Sequence, residues 1–530
     1  MAHASIRRTG TGAALLLLAL AAGCRGDDSP SAAAPERVAT VPTRGALLFG
    51  RHCVVCHGTD GSGYGSGSHL LFPPPRAFNS GRFKLVSTEN RAPSEADLVH
   101  TLRRGMPGTS MPAFDWLPQD DLALLAGHVR ELAAEGLAHR LVQEASLAGE
   151  EPLALTAARE RAEERLTPGR VLATAPPAEP TDAVLERGRA LYEHSCQVCH
   201  GADGKGRDDR PRWDDDGGLN WARDFTAGIL KGGDTPADLE RRIRLGIPGT
   251  AMPATPIEDP DDAAALVAWV RGLLPDDAGT RLVQVRERVA VHRVDPARSA
   301  ELDDPDAALW DQAPEVRVVL APLWWNDDSV VEARLAGLHD GETVALRLTW
   351  ADASRGDRLL DGATLRDAAA LAFSGASAPP LFGMGSAEHP INLWHWKAFE
   401  LGDAAGLLDL IESPPHALGL THTDEVRLDA PVYLPALDRG PGGAHALTAQ
   451  SHQHVVDAFP HGLEVRSQAR WKDGRWSVVF RRALEPRSAS EVPLRPDSRI
   501  QIACAIWNGA VGDRLGQKSI SIWHELALAP

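Results

Sequence analysis

A pentapeptide that occurs twice constrains this chain more than any other feature. Cys53-Val54-Val55-Cys56-His57 returns as Cys196-Gln197-Val198-Cys199-His200. A C-x-x-C-H run sets two thiols and an imidazole on one helical turn. The thiols can form thioethers to the two vinyl groups of a haem, and the following His then faces the iron. One such run could equally be a zinc knuckle or a redox dithiol. Two runs, each followed by a Met-Pro further on, point to two covalently held haems of the c type, on Cys53, Cys56 and His57 and on Cys196, Cys199 and His200.

The duplication is longer than the motif. Arg44-Gly45 precedes the first run and Arg187-Gly188 the second. Cys53 and Cys196 are 143 residues apart, whereas Gly108-Thr109-Ser110-Met111-Pro112 and Gly249-Thr250-Ala251-Met252-Pro253 are 141 apart. Arg140-Leu141-Val142-Gln143 recurs at the same distance, as Arg281-Leu282-Val283-Gln284. A whole module has been duplicated. Each copy predicts a helix entering the C-x-x-C-H run, then a Gly-rich loop (58–67; 201–206). A short helix (94–104; 236–245), the Met-Pro loop and a terminal amphipathic helix (119–132; 261–274) follow.

A chain of 530 residues has room for about three domains. Its formal charge of -17 argues against nucleic acid as a partner. Beyond the four motif cysteines stand Cys24 and Cys504, in contexts too different to suggest a disulfide. Cys504, within Ile500–Ile506, reads as a small buried residue of a strand. Arg7 and Arg8, an apolar run over 13–22 and Gly23-Cys24 read as an export signal of the lipoprotein type, 1–24. Residues 25–42 form a flexible tether. The expected location is the periplasmic side of a bacterial membrane, anchored by lipid on Cys24, or the soluble periplasm if Cys24 is not acylated. No later stretch has the apolar length of a membrane span.

Residues 43–135 and 182–275 resemble the class I c-type cytochromes. That resemblance implies a methionine as second iron ligand, here Met111 and Met252. Met106 is a rival, but its counterpart in the second copy is Ile247, so the duplication favours Met111. Trp269 stands where the family has an aromatic residue in the last helix. Its counterpart is His128, which could compete as a ligand. Between the units lies 136–181, with a predicted helix over Leu147–Leu166 and a Pro/Ala linker from Thr174 to Thr181. A connector, 276–289, follows the second unit.

From about Val289 the pattern changes to alternating β-branched and aromatic segments: Val316–Leu320, Val344–Trp350, Trp476–Phe480 and Ile500–Ile506. Residues 290–530 thus predict an all-β, sandwich-like domain. Leu381-Phe382-Gly383-Met384-Gly385, Ile391–Lys397, Leu348–Asp352 and Gly516–Trp523 resemble the haem-b-binding γ subunit of ethylbenzene dehydrogenase and its relatives in the dimethyl sulfoxide reductase family. The resemblance implies a non-covalent haem b held between Met384 and Lys518. A lysine binds iron as the neutral amine, so its site must be dry; Ile520, Ile522 and Trp523 could make it so. Lys397, His452 and His454 are rival ligands.

The expected fold is multidomain: two all-α cytochrome c domains followed by an all-β sandwich-like haem-binding domain. The expected role is electron transfer through two haem c and one haem b. The partners would be periplasmic redox proteins, among them a molybdopterin/iron-sulfur enzyme. No Walker loop, G-x-S-x-G elbow or zinc-hydrolase motif is present. Two other readings stay open. The sandwich also resembles family 9 carbohydrate-binding modules, with Trp324, Trp325, Trp394 and Trp396 as stacking platforms. A dihaem peroxidase would carry two C-x-x-C-H runs as well, but would need one vacant iron site, whereas both copies here have a Met-Pro loop.

Overall fold

Each cytochrome-like unit is closed by its first and last helices. In the computed structural model, α1 (Arg44–His52) crosses α4 (Gln119–Leu147), and α6 (Asp182–Ser195) crosses α9 (Pro260–Gly272). The repeated Arg-Gly pair makes this crossing. A Cβ on Gly45 would stand 2.6 Å from the carbonyl oxygen of Leu124, and one on Gly188 would collide with that of Ala265. Glycine therefore lets the two backbones touch. The neighbouring arginine ties the same helices: Arg44 Nε donates to Asp121 at 2.7 Å, and Arg187 Nε donates to Asp262 at 2.6 Å. Threonine caps both entry helices, Thr43 accepting from the Ala46 N–H and Thr181 from that of Val184.

The structure describes residues 42–206, 212–215, 217–357, 365–376, 384–385, 389–398, 444–451, 454–457, 465–486, 491–496 and 498–530. The signal, Cys24 and nearly all of the tether lie outside them, as does His452. The haem runs occupy α2 (Val54–His57) and α7 (Gln197–His200). The short helices are α3 (Glu95–Arg104), with a Ser94–Asp97 capping box, and α8 (Pro236–Leu245), capped by Thr235.

The terminal helices depart from expectation. α4 runs to Leu147 rather than Leu132, because Leu137, Ala138 and Leu141 carry its buried stripe onward. There α5 (Leu155–Leu166) packs on it through Ala158, Ala162 and Leu166. α5 starts later than the expected Leu147, since Gly149 (φ +70°) and Pro152 interrupt the chain. In the second unit, Pro275 and the acidic residues after it prevent the same extension. The repeated tetrapeptide therefore folds in two ways. Arg140–Gln143 is helical, whereas Arg281–Gln284 is a turn with Leu282 at φ +56°. There Gln284 Nε2 donates to the carbonyls of Val319 (3.3 Å) and Ile520 (3.2 Å), fastening the connector to the β domain.

The second unit also holds a small hairpin, β1 (Arg212–Trp213) with β2 (Leu219–Asn220). The C-terminal domain contributes β3 (Arg288–Arg293), β4 (Val316–Val319), β5 (Ala321–Pro322), β6 (Glu332–His339), β7 (Thr343–Ala351), β8 (Ala368–Ser374) and β9 (Ile391–Lys397). β10 (Ala444–Ser451), β11 (His454–Asp457), β12 (Arg466–Lys472), β13 (Arg475–Ala483), β14 (Ile500–Trp507), β15 (Ser519–Ile520) and β16 (His524–Leu528) complete it. Their order is β11-β10-β9-β8-β14-β16-β3-β6-β7-β13-β12. β16 joins the halves, antiparallel to β14 and parallel to β3. The halves face each other. Trp396 of β9 meets Trp350 of β7 at 6.2 Å and Trp476 of β13 at 5.1 Å between ring centroids. The domain is thus sandwich-like, with Cys504 buried in its core on β14.

The first unit is stitched to this domain. The Phe72 N–H donates to the Leu323 carbonyl at 2.8 Å and the Trp325 N–H to that of Phe72 at 2.9 Å. No helix among the described residues is long and apolar enough to cross a membrane.

Candidate haem centres

The two C-x-x-C-H turns carry the same local bonding. His57 Nδ1 faces the carbonyl of Arg76 at 3.0 Å, and His200 Nδ1 that of Arg223 at 3.4 Å. A backbone acceptor at Nδ1 fixes the tautomer and leaves Nε2 as the free ligand nitrogen. A phenylalanine lies flat against each ring: Phe78 on His57 and Phe225 on His200, both at 4.5 Å. Burial lowers both imidazoles, that of His57 to about 4, and so keeps them neutral, as metal ligation requires.

The methionine loops also match. In the first, the Met106 N–H donates to the Met111 carbonyl (3.1 Å), the Thr109 hydroxyl to the Met106 carbonyl (2.7 Å), and the Met111 N–H to Thr109 Oγ1 (3.2 Å). In the second, Ile247, Thr250 and Met252 make the same three bonds, at 3.1, 2.8 and 3.3 Å. The backbone of Met106 thus anchors the loop that presents Met111. His128, the other rival, packs edge-on against Phe49 and faces Glu131 at 3.3 Å.

Both sites have the donor set of a covalent haem: two thiols, an imidazole and a thioether. Burial raises the Cys53 and Cys56 thiols to about 12 and that of Cys196 to about 11. Among the described residues, no group of three or more His, Cys, Asp or Glu could hold a metal ion. Cations gather where the two units meet. Burial pushes the Arg223 guanidinium down to about 10, opposed by Asp327. Burial also pushes Lys231 well below its ordinary value, helped by Lys84, Arg223 and Arg76 and opposed by Asp214.

The third centre is assembled from distant chain segments. Lys518 Nζ stands 3.8 Å from Met384 Sδ, although 134 residues separate them. Across that gap the Lys518 amine donates weakly to the thioether sulfur. Met384 adopts φ +49°, a left-handed conformation that costs a non-glycine residue roughly 1–2 kcal/mol. It belongs to an apolar cluster on the outer sheet face, with Ile391, Leu393, Leu447, Ala449, Ala503 and Trp523. Strand alternation also puts Ala370 and Ala372 of β8 and Ala505 of β14 on this face, opposite the core residues Leu371 and Cys504. Small side chains there leave room for a flat macrocycle. Trp523 Nε1 is buried without a partner, a donor available to a bound group.

Burial lowers the Lys518 ammonium to about 8, so the neutral amine lies within easy reach. Its nitrogen sits 4.8 Å over the Trp507 ring, which His395 meets edge-on at 5.4 Å. The chemistry therefore fits an iron held between Met384 and Lys518. Lys397 lies on β9, its ammonium lowered to about 8 by burial and then by Arg366. His454 starts β11.

The tryptophans read as sugar platforms do not share one surface. Trp394 and Trp396 are buried in the sandwich core. Trp324 packs on Phe72 at 5.3 Å, and Trp325 lies under the Arg223 guanidinium at 5.9 Å. Sequence reasoning missed Arg76, Phe78, Arg223 and Phe225. The signal was present as a repeated Arg-x-Phe (Arg76-Ala77-Phe78; Arg223-Asp224-Phe225), displaced from the Cys register by a longer loop.

Comparison with known families agrees with this composite architecture. The cytochrome c family model matches residues 42–133 and again 185–274, and the ethylbenzene dehydrogenase model matches 307–519. The chain is built of two cytochrome c domains, which imply covalent haem c, followed by an ethylbenzene dehydrogenase-type domain. A relative from Haloferax mediterranei, named as a candidate haem subunit of a respiratory nitrate reductase, is 25% identical over 232 residues, 43% of this chain and 68% of its own. A chain of the reducing HAO-like protein complex of Kuenenia stuttgartiensis is 26% identical, with 44% of this chain and 98% of that chain covered and a TM-score of 0.36. A family 9 carbohydrate-binding module from Caldicellulosiruptor kristjanssonii is 8% identical, with 46% of this chain and 96% of that chain covered and a TM-score of 0.25.

Proposed function

We propose that the chain is a three-haem electron relay. One haem c is carried on Cys53 and Cys56, with His57 and Met111 as iron ligands. The other is carried on Cys196 and Cys199, with His200 and Met252. A haem b lies between Met384 and Lys518. The chain exchanges electrons between a redox enzyme outside the cytoplasm and other carriers, tethered through lipid on Cys24. The named relative, a candidate haem subunit of a respiratory nitrate reductase, favours an oxidoreductase of nitrogen compounds, with the molybdenum enzymes as the first class to test.

The observation that carries this reading is the 3.8 Å approach of Lys518 Nζ to Met384 Sδ. A core methionine and a surface lysine would have no reason to meet in a small-residue cradle. When bound, the haems would supply one-electron redox chemistry. The chain's own residues set their properties. His57 and His200 are fixed by backbone carbonyls, and a methionine thioether opposite a histidine favours a high potential. Burial lowers the Lys518 ammonium toward the neutral amine that iron would bind.

A pyridine haemochrome assay on the whole protein tests the reading. Haem c and haem b are expected at about 2:1. Met384→Ala or Lys518→Ala should lose or spectrally shift only the b haem. A wild-type protein with no extractable b haem would remove the third centre.

A further inference from the structure

Two long side chains at the haem turns do more than orient a histidine. The backbone carbonyl of Arg76 holds His57, but its guanidinium leaves the first unit. Nη2 donates to the Pro248 carbonyl at 2.7 Å and Nη1 to that of Gly249 at 3.4 Å. These carbonyls open the loop that ends in Met252. Arg223 does the converse. Its carbonyl holds His200, and its Nη2 donates to the carbonyl of Gly108 at 3.1 Å, at the head of the Met111 loop.

The receiving positions are shaped for this contact. Gly108 and Gly249 have φ +73° and +75°. A Cβ on Gly108 would come within 2.6 Å of Arg223 Nη1, and one on Gly249 would overlap the Arg76 guanidinium. Each arginine is supported on its other side. Arg76 Nε donates to the Arg82 carbonyl at 3.2 Å, and Arg223 lies over the Trp325 ring.

We propose that Arg76 and Arg223 form a reciprocal strap that couples the two c-haem centres. Each arginine is a positioning residue, joining the proximal histidine of one unit to the methionine loop of the other. The route from His57 runs through the Arg76 carbonyl, its side chain, Pro248 and Gly249 to Met252. The route from His200 runs through Arg223 and Gly108 to Met111. Charged donors on carbonyls are stronger than neutral ones, and the planar fork holds direction as well as distance. The strap thereby fixes the separation across which one electron passes. The centre that gives it up is oxidised and the centre that receives it is reduced. No proton moves, no bond changes and no co-reactant is needed.

The strap rests on the assignment of two c haems, and the test separates the two ideas. The full haem-loaded chain receives one electron by pulse radiolysis, and equilibration between the c haems is followed optically. In Arg76→Met and Arg223→Met the c-haem content and absorption bands should stay as in the parent, while equilibration slows severalfold, and further in the double variant. A double variant that keeps both haems and equilibrates at the parental rate overturns the strap. Should the methionine variants lose haem, Arg76→Gln and Arg223→Gln decide. Slower transfer than in the matching Lys variants supports the strap, and parental rates in both Gln variants overturn it. A parent protein with fewer than two c haems would instead count against the function proposed above.

Discussion

The two cytochrome units share a bonding scheme and differ in what surrounds it. In the first, Cys53 is buried, and the loop that follows its haem turn runs against the β domain. The Phe72 backbone pairs with Leu323 and Trp325, and Leu70 lies where a side chain on Gly516 would have to stand. Lys518 is one strand away, since its carbonyl accepts from the Leu323 N–H and Ser519 pairs with Pro322. The second unit's haem turn is open. Val198 is 62% exposed, and Trp213 and Trp221 nearby are 60% and 53% exposed. Duplication supplied two equal stations, and packing made one interior and one peripheral. Both units reach the β domain, the first through the Phe72 backbone and the second through Arg223 over the Trp325 ring.

The strongest way to break this asymmetry is to remove each haem in turn. Cys53→Ala with Cys56→Ala, and Cys196→Ala with Cys199→Ala, should each lower the c to b ratio to about 1:1. Only the first pair should also loosen the β domain, because the loop that follows the first haem turn carries the Phe72 bonds to Leu323 and Trp325. Thermal melting followed at the b-haem band is the measurement. Equal losses from the two pairs would abolish the inner and outer distinction.

The paired phenylalanines give a smaller and cleaner contrast. Phe78 is buried between His57 and Phe83, so Phe78→Ala should cost about 3–5 kcal/mol. Phe225 is only half-buried and should cost less. Denaturant titration of the two variants measures the difference, and a larger loss at Phe225 would reverse the assignment.

Acid separates covalent from non-covalent retention. Burial raises the Asp340 carboxyl, but hydrogen bonds from Ser299, Thr343 and Glu342 outweigh it and hold the group below its ordinary range. Arg481 donates to it at 3.0 Å. A depressed carboxylate stabilises the folded state above its unfolded pKa, about 3.9, and that contribution is lost as pH falls below it. The β domain should therefore open and release b haem in acid, while the thioethers keep both c haems on the chain. Asp340→Asn should flatten this acid limb. An unchanged limb would place the acid-sensitive group elsewhere.

Much of this was legible in the sequence because it is local or periodic. The C-x-x-C-H turns, the duplicated methionine loops, the helix caps and the alternation over Val344–Trp350 and Ile500–Ile506 each declare themselves within a few residues. What failed was tertiary. Trp394-His395-Trp396 alternates, so both indoles must share one face, but alternation does not say whether that face is core or surface; here it is core. The guanidinium contacts of Arg76 and Arg223 were not legible because their acceptors are carbonyls more than a hundred residues away. Arg140–Gln143 and Arg281–Gln284 show the converse, one sequence in two conformations, since the proline at 275 decides where the helix ends.

The smallest expected effect tests what the units share. At Gly45 and Gly188 two opposing terms meet. Alanine is a better helix former than glycine by about 1 kcal/mol, and both glycines lie inside helices. Against this, the new methyl groups would press on the carbonyls of Leu124 and Ala265, and a helix pair in close contact can relieve that only by moving apart. The clash at Gly188 is the tighter, so Gly188→Ala should destabilise its unit more than Gly45→Ala does. The net loss should be modest, because propensity offsets part of it. Urea midpoints of the two variants check the order. A stabilised Gly45→Ala would mean that α1 and α4 can separate freely, and that the common Arg-Gly pair contributes through helix propensity and not through close crossing.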